Sequence, residues 1–125
     1  MNKYALSLVL YLVFFTFTAY AEEIQIVALG ASGTYGQGVS RNEAYPAQIE
    51  AMMKAEGYSI RVKNEGINGD TTADMLNRLD SCIPTETQIV ILQPAGINDR
   101  RAASKMKRGA VTTMVVDTEE MLRRC

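Results

Sequence analysis

Three short apolar runs recur along the chain, and each of them gives way to a polar loop and then to a helical pattern. The runs are IQIVAL at 24–29, YSIRV at 58–62 and QIVIL at 88–92. Strands that alternate with helices predict a parallel sheet with right-handed crossover connections. The third run is the most continuously apolar, which predicts a strand buried on both faces. We therefore expect an α/β fold of the order β-α-β-α-β-α.

The segment between the first two runs has the signals of a helix. YPAQIEAMMKAEG at 45–57 places Pro46 at a first helical position and Gly57 at the carboxy-terminal cap. Its apolar residues at helical spacing predict a buried face: Ile49, Met52 and Met53.

The segment after the second run predicts a second helix over 71–82. Thr71 and Asp74 form a capping-box pattern at its start, and Pro84 ends it. One face of this helix is apolar, with these members: Met75, Leu79 and Cys82, widened by Leu76 and Ile83. A third helix is predicted over much of 102–124.

The amino-terminal segment, 1–21, has the pattern of a signal peptide. Lys3 supplies a positive charge, an apolar stretch follows, and Ala19 to Ala21 have the small-x-small form of a cleavage site. We expect a periplasmic or secreted protein with one domain over 22–125 and no stable membrane insertion after cleavage. An uncleaved membrane anchor is the alternative, because the apolar run is near the lower limit for a span.

The composition excludes several classes of partner and cofactor. The net charge of the 125 residues is −1, and basic residues cluster only in the last quarter, which argues against nucleic acid as a partner. The chain has no histidine and two cysteines, so we expect no metal site. Cys82 and Cys125 could form a disulfide in an oxidising compartment. The alternative is a half-buried Cys82 and a free Cys125.

The polar loops after the three strands carry the candidate functional residues. In a parallel sheet every strand-to-helix loop opens on the same edge. Ser32, the 68–70 group and the 98–99 pair are therefore expected to meet there. A strand order of 2-1-3, as in flavodoxin-like sheets, places the reversal of strand order beside Ser32 and Asn98.

These residue types match what acyl transfer requires. A serine hydroxyl attacks a carbonyl carbon, and hydrogen-bond donors stabilise the oxyanion of the tetrahedral intermediate. Ser32 is the candidate nucleophile, and the Gly69 N–H and the Asn98 amide are candidate donors. Taken singly, Gly69 and Asn98 are more simply explained as turn residues. Only their joint placement after successive strands favours a site.

The motifs ALGASGTYGQGV, NEGINGDTT and GIND resemble the first three blocks of the SGNH hydrolases, also called the GDSL esterase/lipase family. The resemblance covers about Ile24 to Arg101 and is most marked to the periplasmic acyl-CoA thioesterases, lysophospholipases and arylesterases. It implies a flavodoxin-like three-layer α/β/α sandwich, Ser32 as nucleophile, and oxyanion donors at Ser32, Gly69 and Asn98. It also implies small acyl esters such as lysophospholipids, aryl esters or acyl thioesters as substrates, and no metal or organic cofactor.

The sequence departs from the family pattern at two places. Ala31 stands where the family has an acidic residue before the nucleophile. The fourth family block, Asp-x-x-His, is absent. From the resemblance we expect a C-terminally incomplete domain, the N-terminal two thirds of the family domain, without the base that activates Ser32.

Other groups near the sheet edge offer alternatives for that base. Asp70, Asp99 and Glu65 are expected to bond loop backbone instead, because an exposed carboxylate is a weak base. Lys63 could form a Ser–Lys dyad with Ser32. The alternative functions are a non-catalytic acyl- or glycan-binding module on the same fold and a nucleotide-binding flavodoxin-like domain. The latter is disfavoured because the glycines lack the Gly-x-Gly-x-x-Gly spacing.

Overall fold

The computed structural model describes the backbone of residues 21–106 and 110–125, and the side chains of 21–105 and 117–125. The predicted signal peptide at 1–21 therefore lies almost wholly outside the described residues. No helix in the described part of the chain is long and apolar enough to cross a membrane.

Three parallel strands form one sheet at the centre of the described structure. β1 spans Ile24–Gly30, β2 spans Ile60–Gly66 and β3 spans Ile89–Leu92. β1 lies in the middle, with β2 on one side and β3 on the other, and both neighbours run parallel to it. The predicted α/β fold with a parallel sheet and the 2-1-3 strand order are confirmed.

Helices follow every strand, as the alternating pattern predicts. The helices of the described residues are, in chain order, α1 at Ser32–Tyr35, α2 at Tyr45–Ala55, α3 at Thr72–Asn77, α4 at Leu79–Cys82, α5 at Gly96–Met106 and α6 at Ala110–Arg124. α5 begins six residues before the helix predicted over 102–124, and α6 lies within the predicted range. Asn98 consequently lies in the first turn of α5 rather than in a loop.

The end of α2 and the start of α3 lie where the sequence predicts them. Gly57 follows α2 with a φ of +91°, a conformation that favours glycine. Thr71 and Asp74 form the predicted capping box of α3. The single helix predicted over 71–82 is interrupted at Arg78, whose φ of −103° and ψ of 4° depart from helical values.

β2 differs from its predicted bounds because it follows the central strand to its end. The apolar pattern predicts 58–62, whereas the strand spans Ile60–Gly66. Its last residue, Gly66, lies opposite Gly30 at the end of β1. Backbone pairing extends β2 through polar residues, and a hydrophobic pattern does not report such pairing.

β3 is not buried on both faces, so that prediction is wrong. Ile89 is 47% exposed, and the other three residues of the strand are partly exposed. β3 is an outer strand of the described sheet, and its partner there is β1. The strand buried on both faces is β1, where Val27, Ala28 and Leu29 are at most 2% exposed.

The core has two parts, one on each face of the sheet. Beneath α2 the buried residues are Ile26, Ala28, Ile60 and Val62. Beneath α3, α4 and α6 they are Leu29, Ala31, Met75, Leu79, Cys82, Ala95 and Met121. The order helix, sheet, helix agrees with the predicted three layers, and the second list contains the apolar face predicted for 71–82.

Two expectations about single side chains need correction. Met52 is 60% exposed and does not belong to the buried face of α2, whereas Ile49 and Met53 pack against the sheet. Cys82 is buried rather than half-buried, and both Cys82 and Cys125 are free thiols. Burial raises the pKa of the Cys82 thiol, which keeps it protonated and unreactive at neutral pH.

Candidate active site

A cleft of about 700 Å³ opens at the carboxyl ends of the strands. Ser32, Gly69 and Asn98 all line it, although each belongs to a different strand-to-helix connection. The other lining residues are Ala31, Gly33, Gln37, Asn68, Gln93, Pro94, Ala95, Gly96, Ile97 and Arg101. The three loops therefore meet at one edge of the sheet.

Ser32 lies at the mouth of the central strand, as the first residue of α1. Its carbonyl accepts hydrogen bonds from the backbone N–H groups of Gly36 and Gln37 at 3.1 and 3.0 Å, which closes the turn. Its own N–H belongs to the first helical turn, where the backbone N–H groups have no carbonyl acceptor within the helix. Ala31 before it is 6% exposed and packs in the core instead of capping the helix.

Thr34 fixes the turn from below through a network that the sequence analysis missed. The Thr34 side chain is fully buried. Its hydroxyl donates to Gln93 Oε1 at 2.8 Å, and the Tyr45 hydroxyl lies 3.2 Å from Thr34 Oγ1. The Asn64 amide donates to the Thr34 carbonyl at 2.8 Å. These partners are distant in the chain, so no local motif signals them.

Two glycines allow α1 to lie directly on the strand ends. A Cβ at Gly30 would stand 2.0 Å from Thr34 Oγ1, and one at Gly66 would stand 2.1 Å from the backbone nitrogen of Tyr35. Gly66 was not singled out by the sequence analysis. Its position at the end of a strand, before a loop residue, is the signal that could have found it. Both glycines are needed for close approach of the backbone.

Gly69 occupies a turn that requires a glycine. Its φ is +88°, and the Asp70 N–H donates to the Ile67 carbonyl at 3.3 Å. A positive φ at the third position of a β-turn is the type II arrangement. No heavy atom lies within 4 Å of a Cβ built at Gly69, so conformation rather than space selects the residue.

Asn98 is held against the same loop. Its side-chain Nδ2 donates to the Asp70 carbonyl at 2.8 Å. An amide nitrogen carries two N–H bonds, so a second donor remains for a group in the cleft. Asn98 therefore couples the start of α5 to the turn that contains Gly69.

Asp99 serves the scaffold, as the sequence analysis expected. It is 8% exposed, and it accepts hydrogen bonds from Thr72 N at 2.7 Å and Thr72 Oγ1 at 2.5 Å. The Thr72 hydroxyl in turn accepts from the Ala95 N–H at 3.0 Å. These bonds join the first turn of α3 to the start of α5 behind the cleft.

Arg78 joins the ends of two strands to the Gly69 loop, a role that no sequence pattern predicts. Its guanidinium donates to Asp70 Oδ2 at 2.8 Å, to the Glu65 carbonyl at 2.9 Å and to the Gly30 carbonyl at 3.2 Å. From the sequence, an arginine on an amphipathic helix is expected to face solvent. In the structure Arg78 lies at the break between α3 and α4, and its side chain is directed inward.

Lys63 is not brought to Ser32. Lys63 Nζ forms an ion pair with Glu65 Oε1 at 2.7 Å, and its side chain is 49% exposed. Neither residue lines the cleft. The structure therefore gives no geometric support to a Ser–Lys dyad, and the Asp70 carboxylate is engaged by Arg78.

The charge of the cleft is set by one lining residue. Arg101 is the only charged side chain among the lining residues in the described part of the chain. No group of acidic, histidine or cysteine residues that could hold a metal ion occurs among the described residues. The arrangement can offer a hydroxyl, neutral N–H donors and one cation to a bound molecule.

Comparisons with known proteins agree with this fold. No family model matches the chain. Esterase TesA of Pseudomonas aeruginosa is 32% identical over 99 residues, which are 79% of this chain and 48% of that protein. The crystal structure of AlinE4, an SGNH-hydrolase family esterase, superposes with a TM-score of 0.63 at 31% identity, over 82% of this chain and 55% of that one.

A second solved structure supports the fold alone. A crystal structure of TesA has a TM-score of 0.69 at 22% identity, and the match covers 80% of this chain and 53% of that chain. The chain thus spans about half the length of the relatives that it matches.

Proposed function

The chain belongs to the SGNH-hydrolase (GDSL) family, and from this premise we propose that it provides the nucleophile and the oxyanion donors of a serine ester or thioester hydrolase. The observation that carries the proposal is the meeting of Ser32, Gly69 and Asn98 in one cleft. These are the residues to which the family resemblance assigns the chemistry.

Ser32 Oγ attacks the carbonyl carbon of the acyl group, and the carbonyl electron pair moves onto its oxygen. The Ser32 N–H, the Gly69 N–H and the second N–H of the Asn98 amide stabilise that oxyanion. Each such donor is worth about 3–4 kcal/mol of barrier where it has been measured. All three are neutral and are held by the backbone or by the Asp70 carbonyl, so little reorganisation accompanies the reaction.

The proton of Ser32 needs a base, since a serine hydroxyl is a weak nucleophile without one. None of the 125 residues is a histidine. The nearby carboxylates of Asp70 and Asp99 are engaged by Arg78 and Thr72. We place the proton acceptor in an Asp-x-x-His segment of the kind that the family resemblance implies, supplied from outside these 125 residues.

The substrates proposed are small acyl esters and acyl thioesters, with aryl esters and lysophospholipids among them. Ala31, Pro94, Ala95 and Ile97 give the cleft an apolar wall for an acyl chain. The pattern of residues 1–21 supports the further proposal that the protein acts in the periplasm or outside the cell.

The test is to restore the base. A carboxy-terminal segment of an SGNH hydrolase that carries Asp-x-x-His is fused after Cys125, giving what we call the completed chain. The unfused chain should hydrolyse p-nitrophenyl butyrate close to the uncatalysed rate, because loss of the base has cost about 10⁶-fold in a serine triad. The completed chain should be faster by at least about 10³-fold, and Ser32→Ala should remove that gain.

A completed chain that is folded by circular dichroism but shows no Ser32-dependent hydrolysis would contradict the proposal. It would favour the non-catalytic acyl- or glycan-binding module. Brisk hydrolysis by the unfused chain, lost in Ser32→Ala, would show that the base lies within the 125 residues.

A further inference from the structure

The Ser32 cleft carries a positive charge that ester hydrolysis itself does not require. Arg101 lines it, and the other lining residues of the described structure are uncharged. None of the ion pairs among the described residues includes Arg101. Asp70 and Asp99 directly follow the lining residues Gly69 and Asn98 in the chain, but their carboxylates are bonded to Arg78 and Thr72 and they do not line the cleft.

Arg101 lies on the same face of α5 as two other residues of the cleft. Arg101 follows Asn98 by three positions and Ile97 by four, and residues at these separations are neighbours on a helix surface. Three residues of helix rise by about 4.5 Å, so Arg101 begins one turn beyond the amide proposed to bind the oxyanion. A small ester centred on Ser32 and Asn98 can therefore extend to the Arg101 guanidinium, with Ile97 beside it.

We propose, on the basis of the proposed function, that Arg101 makes this site selective for esters and thioesters that carry an anionic group, a carboxylate or a phosphate. The planar guanidinium pairs with both oxyanions through parallel N–H bonds. No carboxylate of the described residues lines the cleft to compete for the guanidinium. Because Arg101 is exposed, the expected preference over a neutral ester of the same size is about two- to fivefold in affinity, the scale of a solvent-exposed ion pair.

Binding of non-hydrolysable amides by the full chain, expressed for export, tests this selectivity without any catalysis. N-Ethylbutyramide is the neutral reference for N-ethylsuccinamate, which places a carboxylate on the acyl side. N-Butyrylethanolamine is the neutral reference for N-butyryl-β-alanine and N-butyrylphosphoethanolamine, which place a carboxylate or a phosphate on the leaving-group side. Dissociation constants are measured by titration of backbone amide NMR signals at low ionic strength.

At least one anionic amide should bind about two- to fivefold more tightly than its neutral reference, and about 0.5 M salt should abolish most of the difference. Arg101→Gln should remove the preference. Arg100→Gln is the matched control, because it removes the same charge from the neighbouring position, which is exposed and does not line the cleft. Arg100→Gln should keep the preference for the anionic amide.

Equal binding of anionic and neutral amides would overturn the inference, as would equal losses in Arg100→Gln and Arg101→Gln or no measurable binding of any amide. The readout is affinity, whereas the proposed function is judged by hydrolysis in the completed chain. A completed chain that hydrolyses neutral esters but binds anionic amides no better refutes only the role of Arg101. Selective binding without Ser32-dependent hydrolysis refutes only the catalytic proposal.

Discussion

The side-chain amide of Asn98 donates a hydrogen bond to the backbone carbonyl of Asp70 at 2.8 Å. The bond crosses from the first turn of α5 to the loop that follows β2, and it ends one residue after Gly69. The two proposed oxyanion donors are therefore positioned against each other. Movement of the start of α5 or of the loop after β2 would therefore displace both donors.

Replacement of Asn98 should lower the rate of hydrolysis while the protein stays folded. In the completed chain, Asn98→Ala should lower kcat for p-nitrophenyl butyrate by about 10²–10³-fold, as the loss of one oxyanion donor does elsewhere. Asn98→Asp should be at least as damaging, because a carboxylate accepts hydrogen bonds and repels an oxyanion. Asn68→Ala is the control, since Asn68 lines the same cleft without a proposed donor role. A loss below about threefold in Asn98→Ala would rule out its amide as a donor.

Gly69 should be sensitive to conformation and insensitive to volume. Gly69→Ala forces an L-residue to a φ of +88° with free space around the new methyl group. It should lower the free energy of unfolding by about 1–2 kcal/mol and kcat of the completed chain by at least about tenfold, because the N–H shifts.

Gly38 provides the comparison for this strain. It has a φ of +93°, equally open surroundings and no place in the cleft. Gly38→Ala should lose similar stability in urea denaturation and leave kcat unchanged. Equal kcat losses in both variants would mean that Gly69 acts through general stability alone.

The sequence predicted those features that depend on short-range patterns. Thr71 and Asp74 are three residues apart, so their capping box is visible in the sequence and is present in the structure. Parallel pairing also follows from the strand–helix alternation, and it brings Ser32 and Asn98 to one edge without any knowledge of contacts.

Features that depend on distant contacts were not predictable in this way. β3 is exposed because it is an outer strand of the described sheet. Its continuous apolar run is typical of a central strand, so the sequence pattern alone predicts burial on both faces. Arg78 is bonded to Gly30, which is 48 positions away in the chain. Arg101 was not singled out either, because the predicted site ended with the 98–99 pair and the next predicted helix began only at 102.

The Thr72–Asp99 pair should be a strong determinant of stability behind the cleft. Thr72→Val keeps the shape of the side chain but leaves an oxygen of the buried Asp99 and the Ala95 N–H without their hydroxyl partner. We expect a loss of about 2–3 kcal/mol in the free energy of unfolding by urea. Thr72→Ser retains the hydroxyl and should lose no more than about 1 kcal/mol. Similar losses in the two variants would show that the methyl group, and not the hydrogen bonds, carries the stability.

The stability of the domain should depend on pH through Asp117 in α6. Burial, and secondarily the nearby charge of Asp99, raise the pKa of the Asp117 carboxyl above its ordinary value. A carboxyl with a higher pKa in the folded state binds its proton more tightly there than in the unfolded chain. This contribution therefore favours folding at low pH and is lost as the pH rises through the folded-state pKa.

Asp117→Asn should consequently raise the free energy of unfolding at pH 7, and this gain should shrink as the pH falls towards about 4, the ordinary pKa of an aspartate. Urea denaturation of both proteins at a series of pH values measures the difference, which removes the contributions of other titrating groups. Glu119→Gln is the matched control, because it removes one negative charge from an exposed position of the same helix. If Asp117→Asn gains no stability at pH 7, or if Glu119→Gln gains as much, the effect does not come from the buried position of Asp117.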